Sequence, residues 1–163
     1  MTDVRLRAAT ASDAEFLAEM LAVAIDWRPG ASPRPVADLM DMPDVWHYID
    51  AWPQQSDFGL LAEIDQPVGA AWWRYFTAAQ PGYGFTDEAV PEISIGVANG
   101  YRGQGIGRRL LLGLIAEGSK RGIPGLGLSV EPDNPALRLY ERLGFKAVGG
   151  TGGSGTLFLK LDD

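Results

Sequence analysis

The sequence predicts an α/β domain in which a mixed sheet is flanked by helices, and three observations lead there. Short alternating runs, such as Ile93, Ile95 and Val97, carry the two-residue period of a strand. Longer runs, such as Leu110, Leu111, Leu114, Ile115 and Gly118, fall on one stripe of a helix. The two kinds alternate in the order strand, helices, three strands, helix, strand, helix, two strands, which mixes hairpins with crossovers.

Taken in order, Val4 to Arg7 reads as a first strand. Ser12 and Glu15 form a capping box, each side chain satisfying a free N–H at a helix start. Phe16, Leu17, Met20, Leu21, Ala24 and Ile25 then recur at helical spacing, predicting a helix from Asp13 to about Ile25. Ser32-Pro33 reads as a helix start, with two short helices near Pro35 to Met40 and Asp44 to Ala51, broken near Pro43. Phe58 to Ile64 and Val68 to Phe76 read as a strand pair joined through Asp65-Gln66. Gln80 to Phe85 is a loop, with Tyr83 and Phe85 available to line a site. Pro91 to Val97 is a strand, and Gly105 to Arg121 a long helix that Gly122 caps. Gly125 to Val130 is a strand, Pro135 to Leu143 a helix, and Lys146 to Val148 and Thr156 to Leu161 two final strands. The glycine-rich run from Gly149 to Gly155 reads as a flexible connection.

Composition bounds the function. The 163 residues suit one domain, 1–163, able to bury roughly 70% of its unfolded surface. The absence of cysteine excludes disulfides, thiolate catalysis and thiolate metal sites. No signal pattern opens the chain, and no apolar run approaches the ~18 residues of a membrane span, so a cytoplasmic location is expected. The net charge of -7 argues against nucleic acid as a partner. Residues 1–90 carry five Lys/Arg against fourteen Asp/Glu and hold all five tryptophans. Residues 91–163 carry nine against seven. An acidic aromatic half is either a solvated face or a site that draws a cationic acceptor.

The stretch Tyr101-Arg102-Gly103-Gln104-Gly105-Ile106-Gly107 stands between a strand and a helix. Glycines at every second position let the chain turn sharply and leave its N–H groups bare. At a helix start, such N–H groups and the helix dipole attract an anion, above all a phosphate. Arg102, Arg108 and Arg109 add positive charge. The spacing is not that of a dinucleotide fold, and no Gly-Lys-Ser/Thr follows as in a P-loop. A plain strand-to-helix turn remains the alternative on these residues alone.

Arg102-x-x-Gly105-x-Gly107 resembles the acyl-CoA pyrophosphate loop of the GNAT superfamily of N-acetyltransferases. A second match runs from Leu128 through Asn134 and Tyr140 to Gly144-Phe145, where the family has a strand, an Asn and a helix carrying Tyr and ending in Gly-Phe. The resemblance is strong over residues 91–145 and covers the remainder by element order, with Asn99-Gly100 a departure just before the loop. It implies a mostly antiparallel GNAT-like sheet, acetyl-CoA as cosubstrate without a metal, and transfer to a primary amine of a small molecule or peptide. It places the main chain of Ile95, Gly96 and Val97 along the pantetheine arm. The pyrophosphate falls to the amides of Arg102, Gly103, Gln104, Gly105, Ile106, Gly107 and Arg108. Arg108 and Arg109 would meet the 3′-phosphate, and Asn134 the cofactor arm.

By the same resemblance, Tyr140 protonates the departing thiolate and Glu92 is the candidate general base. Glu92, Ser94 and Gly96 share the strand face opposite Ile93, Ile95 and Val97. Asp87 and Glu88 are substitutes on a loop. Each residue also has a purely structural alternative: Glu92 as a strand-end carboxylate, Tyr140 as a packed ring, Asn134 as a helix cap. The sole histidine, His47, reads as packing rather than substrate contact. With no cysteine to carry an acetyl group, transfer is expected to be direct, in a ternary complex, with the amine between the N-terminal helices and the Tyr83 loop. The rivals are an acyl-CoA-binding or sensing module without catalysis on the same fold, and a nucleotide-binding domain of another fold. A homodimer stays open.

Overall fold

A computed structural model describes residues 3–151 and 154–161. Seven strands form one mixed sheet in the order β1-β2-β3-β4-β5-β7-β6. They are β1 (Arg5–Ala8), β2 (Phe58–Ile64), β3 (Gln66–Arg74), β4 (Glu92–Val97), β5 (Gly125–Val130), β6 (Lys146–Thr151) and β7 (Ser154–Lys160). The helices are α1 (Ala14–Ile25), α2 (Val36–Met40), α3 (Pro43–Trp46), α4 (Ile106–Lys120) and α5 (Ala136–Arg142). β1 with β2, β2 with β3, β5 with β7 and β6 with β7 are antiparallel, whereas β4 with β5 is parallel. The mixed sheet expected from the interleaved patterns is therefore present.

The chain divides into two compact units, Met1–Trp73 with Ser94–Leu114, and Arg74–Ile93 with Ile115–Asp163. In the first, strand alternation sends side chains to two helix-covered faces. Gly69 lies against Ile106 and Leu110 of α4, and Gly113 of α4 stacks close to Leu60 and Leu6. On the other face Trp72 is fully buried and its indole N–H donates to the Tyr48 carbonyl at 2.9 Å. Trp52 donates to the Thr10 carbonyl and Trp73 to that of Ser56. Buried indoles need such partners. Of the five tryptophans in residues 1–90, Trp52, Trp72 and Trp73 thus build the core and satisfy their own N–H groups.

The start of α1 corrects the predicted cap. The Thr10 N–H donates to Asp13 Oδ2 at 2.7 Å, so the reciprocal carboxylate is Asp13 rather than Glu15, and Ala11–Asp13 form a 3₁₀ turn before the helix. Asp13 wins because Arg7 donates to both of its oxygens at 2.9 Å, tying β1 to α1. Farther on, the first of the two expected short helices runs Val36–Met40, close to the predicted Pro35 to Met40 though not from Ser32-Pro33, and the second opens at Pro43, where the break was expected. Proline suits a first helical turn because its missing N–H has no acceptor there. α3 ends at Trp46, short of the predicted Ala51. The β2–β3 turn needs only Asp65, which takes φ 63°.

In the second unit β5 carries glycines on one face for a packing reason. A Cβ on Gly125 would strike the Phe158 ring, and one on Gly127 would lie 2.9 Å from the Gly84 carbonyl oxygen. The loop around Gly84 is pressed onto β5, with Leu128 main-chain carbon 2.4 Å from a Cβ built there. Thr156 of β7 donates to the Tyr83 carbonyl, holding the same loop. α4 ends as expected: Gly122 takes φ 72° and the Ile123 N–H reaches back to the Gly118 carbonyl at 3.0 Å. The glycine-rich run expected to be a flexible connection is in part ladder, Gly149 facing Thr156 and Gly150 facing Gly155. Main-chain pairing needs no side chain, so glycine does not prevent it; positions 152–153 lie outside the described residues.

The guanidinium of Arg7 holds the Asp13 carboxyl down to about 2 from an ordinary value of 3.8. A depressed carboxylate stabilises the fold above its unfolded pKa, and that contribution disappears as pH falls through the folded one. Stability should therefore be flat above about pH 5 and drop by about 2 kcal/mol between pH 4 and pH 2. Asp13→Asn, followed by urea unfolding at both ends of this range, should lower stability at pH 7 and flatten its acid dependence.

Candidate active site

The phosphate-type loop is built in the first unit. Beyond β4 the Ala98 N–H donates to the Val68 carbonyl at 2.8 Å, and the Tyr101 N–H closes a turn onto the Ala98 carbonyl. Gly100, Gly103 and Gly105 take φ 93°, 75° and 81°, in the left-handed region that a side chain disfavours. Nothing lies within 4 Å of a Cβ built on any of the three, so their requirement is conformational and not steric. The first helical bond of α4 is Arg109 N–H to the Gly105 carbonyl at 3.1 Å. The N–H groups of Ile106, Gly107 and Arg108 precede it and have no intrahelical acceptor. Buried Ile106 and Leu110 pin this helix start down, while Arg102, Gly103, Gln104, Gly105 and Arg108 are exposed.

Two loop side chains are engaged. Arg102 donates through Nη1 to the Trp27 carbonyl at 3.3 Å, and Gln104 through Nε2 to the Gly100 carbonyl at 3.4 Å. Arg109 donates to the Val4 carbonyl at 2.7 Å, tying α4 to the approach of β1, whereas Arg108 projects outward. Ile95 and Val97 are half-buried and Gly96 is buried. A Cβ on Gly96 would lie 2.4 Å from the Met20 carbonyl oxygen, so α1 rests directly on the main chain of β4 there. A groove of about 380 Å³ runs along α1, lined by Glu19, Met20, Val23, Pro33, Arg34 and Val36 among others. Its Arg34 is paired with both oxygens of Asp26, at 2.7 and 2.9 Å, which lowers the Asp26 pKa.

In the second unit stand Glu92, Asn134 and Tyr140. Glu92 begins β4 and is 3% exposed, buried rather than a surface carboxylate. It faces Gly127 in the parallel ladder. Tyr140 lies on α5, also buried, with its ring 5.9 Å from that of Phe145 in an edge-on arrangement. Burial pushes its phenol up to about 12. Asn134 Oδ1 accepts the Ala136 N–H at 2.9 Å, so it caps α5. The substitute bases shape their own loop: Asp87 Oδ1 accepts the Ala89 N–H, and Glu88 Oε2 accepts the Ala78 N–H, each at 2.8 Å. His47 packs edge-on against Tyr48 at 4.8 Å. Tyr83 is 56% exposed.

Sequence reasoning passed over Arg74, which ends β3 and is 3% exposed. An arginine at the end of an alternating strand reads as solvated, and nothing in the local pattern signals its burial. A charge so buried must be compensated by its surroundings.

In the first unit the turn leaves helix-start amides bare, as an anion-binding loop does. The Acetyltransferase (GNAT) family profile matches residues 22–145, and the chain belongs to that family. Mycothiol acetyltransferase of Saccharomonospora viridis is 30% identical over 148 residues, covering 89% of this chain and 46% of that protein. The chain thus spans less than half the length of this curated relative. Among solved structures, yncA of Salmonella typhimurium with its cofactor acetyl-CoA superimposes with a TM-score of 0.68 at 20% identity, covering 98% of this chain and 95% of that one. PaiA N-acetyltransferase of Thermoplasma acidophilum in complex with coenzyme A gives 0.71 at 18% identity, covering 97% and 99%. Both share the mixed sheet with flanking helices.

Gly105→Ala should cost roughly 1–2 kcal/mol of conformational strain without any clash. Calorimetry should show coenzyme A affinity falling about tenfold, because the strained turn re-aims its amides. Gly107→Ala, inside the helix, should bind within about twofold of the parent.

Proposed function

We propose that this chain transfers the acetyl group of acetyl-CoA directly to a primary amine in a ternary complex. The observation carrying this reading is the Gly103–Gly105 turn, which aims consecutive main-chain N–H groups outward at the start of α4. Amides of Arg102 to Arg108 would bind the diphosphate, with Arg108 as the side-chain cation beside them. The main chain of Ile95, Gly96 and Val97 would pair with the pantetheine arm. Asn134, its Oδ1 committed to the cap, has its amide N–H groups left to offer the same arm.

The amine must be neutral to attack. For a lysine-like amine at pH 7 this costs about 4.6 kcal/mol, against about 1.4 kcal/mol for an α-amine of pKa ~8. A base is worth most to the first, and Glu92 is the carboxylate assigned that role. Tyr140 is assigned to the departing sulfur. With its phenol near 12, full proton transfer to a thiolate of pKa ~8.5 is uphill by about 5 kcal/mol. Tyr140 therefore acts by donating a hydrogen bond as charge builds on sulfur. The absence of cysteine supports direct transfer, since no thiol is present to carry the acetyl group. The excess of carboxylates in residues 1–90 favours a cationic acceptor, although Asp13 and Asp26 are already spent on Arg7 and Arg34.

Tyr140→Phe should reduce kcat by roughly 10²-fold while coenzyme A affinity and Tm stay near the parent's. Thiol release from acetyl-CoA, read across a library of cationic and neutral amines, supplies the assay. Unchanged kcat would remove Tyr140 from the reaction. No turnover of any amine by the parent, with coenzyme A still bound, would favour a sensing module on the same fold.

A further inference from the structure

Thr86 has a hydroxyl that no role given above explains. Its Oγ1 is buried and makes no hydrogen bond among the described residues. Leaving a buried hydroxyl unsatisfied costs roughly 1–3 kcal/mol, so such a group calls for a partner. Oγ1 lies 3.8 Å from the point where a Cβ on Gly127 would stand, and the Gly84 carbonyl oxygen is 2.9 Å from that same point. Gly127 faces Glu92 across the parallel ladder, and its N–H donates to the Pro91 carbonyl at 3.0 Å. Facing strands run about 4.8 Å apart, and residues opposite one another project from the same face. The Thr86 hydroxyl and the Gly84 carbonyl therefore stand over Gly127, on the ladder face that Gly127 shares with Glu92. The segment is held there by contact: Gly84 is pressed on the main chain of Leu128, and the Val90 N–H closes a turn onto the Asp87 carbonyl at 3.0 Å.

We propose that Thr86 is a positioning residue whose hydroxyl, with the Gly84 carbonyl, holds a water against the Glu92 carboxylate, and that this water relays the proton from the acceptor amine. The inference rests on the reading of Glu92 as the base. The groups match a water's four directions: it donates to Glu92 and to Gly84, and accepts from the Thr86 O–H and from the amine N–H. In the transfer, the amine lone pair bonds to the thioester carbonyl carbon. Its proton passes to the water, which gives one of its own to Glu92. The C–S electron pair leaves on sulfur, hydrogen-bonded by Tyr140, and the thiolate takes up a proton from solvent, to which Glu92 returns its own. Glycine at 127 lets the loop come this close: a Cβ there would lie 2.9 Å from the Gly84 carbonyl oxygen and 3.8 Å from Thr86 Oγ1.

A double-mutant cycle of Thr86→Val with Glu92→Gln tests this, reading kcat, KM for both substrates, and Tm. Thr86→Val should lower kcat about tenfold with KM for acetyl-CoA and Tm unchanged, and Thr86→Ser, which keeps the hydroxyl, should restore it. The double variant should be no slower than Glu92→Gln alone, because both remove one relay. Parental kcat in Thr86→Val, equal loss in Thr86→Ser, or effects that multiply in the double variant would overturn the proposal. Should valine lower Tm, Thr86→Ala takes its place in the cycle. If Glu92→Gln itself keeps parental kcat, the reading of Glu92 as base fails and the relay falls with it. A slow Glu92→Gln beside an unaffected Thr86→Val would overturn the relay alone.

Discussion

Three consecutive N–H groups at the mouth of α4 cannot be satisfied by the helix they begin, and much of the first unit serves to hold them facing out. Gly103 and Gly105 supply backbone angles that other residues adopt only under strain. Ile106 and Leu110 anchor the helix on Gly69 of β3, and Arg109 fastens it to the Val4 carbonyl. Each contact is ordinary packing; together they fix the direction in which the amides point. An anion gains from that fixed array because neither the turn nor the helix need reorganise to receive it.

The second unit buries titratable groups. Glu92 and Tyr140 are both buried. For the Tyr140 phenol, burial strengthens the neutral form, so the hydroxyl remains a donor. The polar groups near Gly127 come from the loop at Gly84 and Thr86, which explains why this strand carries glycine where a β-branched residue would otherwise be favoured.

What could be read in the sequence follows the range of the physics involved. The loop was readable because positive φ restricts residue type locally, so glycines at alternate positions announce the backbone shape. The strands around it and the cap at Gly122 followed from periodicity for the same reason. Between Ser32 and Ala51 the end of α3 was misread because Ser32 and three prolines offered competing boundaries, and tertiary packing chose among them. Asp13 displaced Glu15 through a partner six residues upstream, which no local cap rule contains. The burial of Arg74 and the hydroxyl of Thr86 depend on which strand lies alongside, and a linear pattern carries no trace of that. Asn134 shows the remaining ambiguity: the cap it makes was anticipated, and it coexists with the ligand role assigned to its amide.

The central claim is that main-chain amides at the start of α4 grip the diphosphate of coenzyme A. Calorimetry comparing coenzyme A with pantetheine, which has the same thiol arm and no diphosphate, tests it most directly. The account predicts that coenzyme A binds on the order of 10²-fold more tightly, with the difference arising from charge-assisted hydrogen bonds. Equal affinity for the two would contradict it.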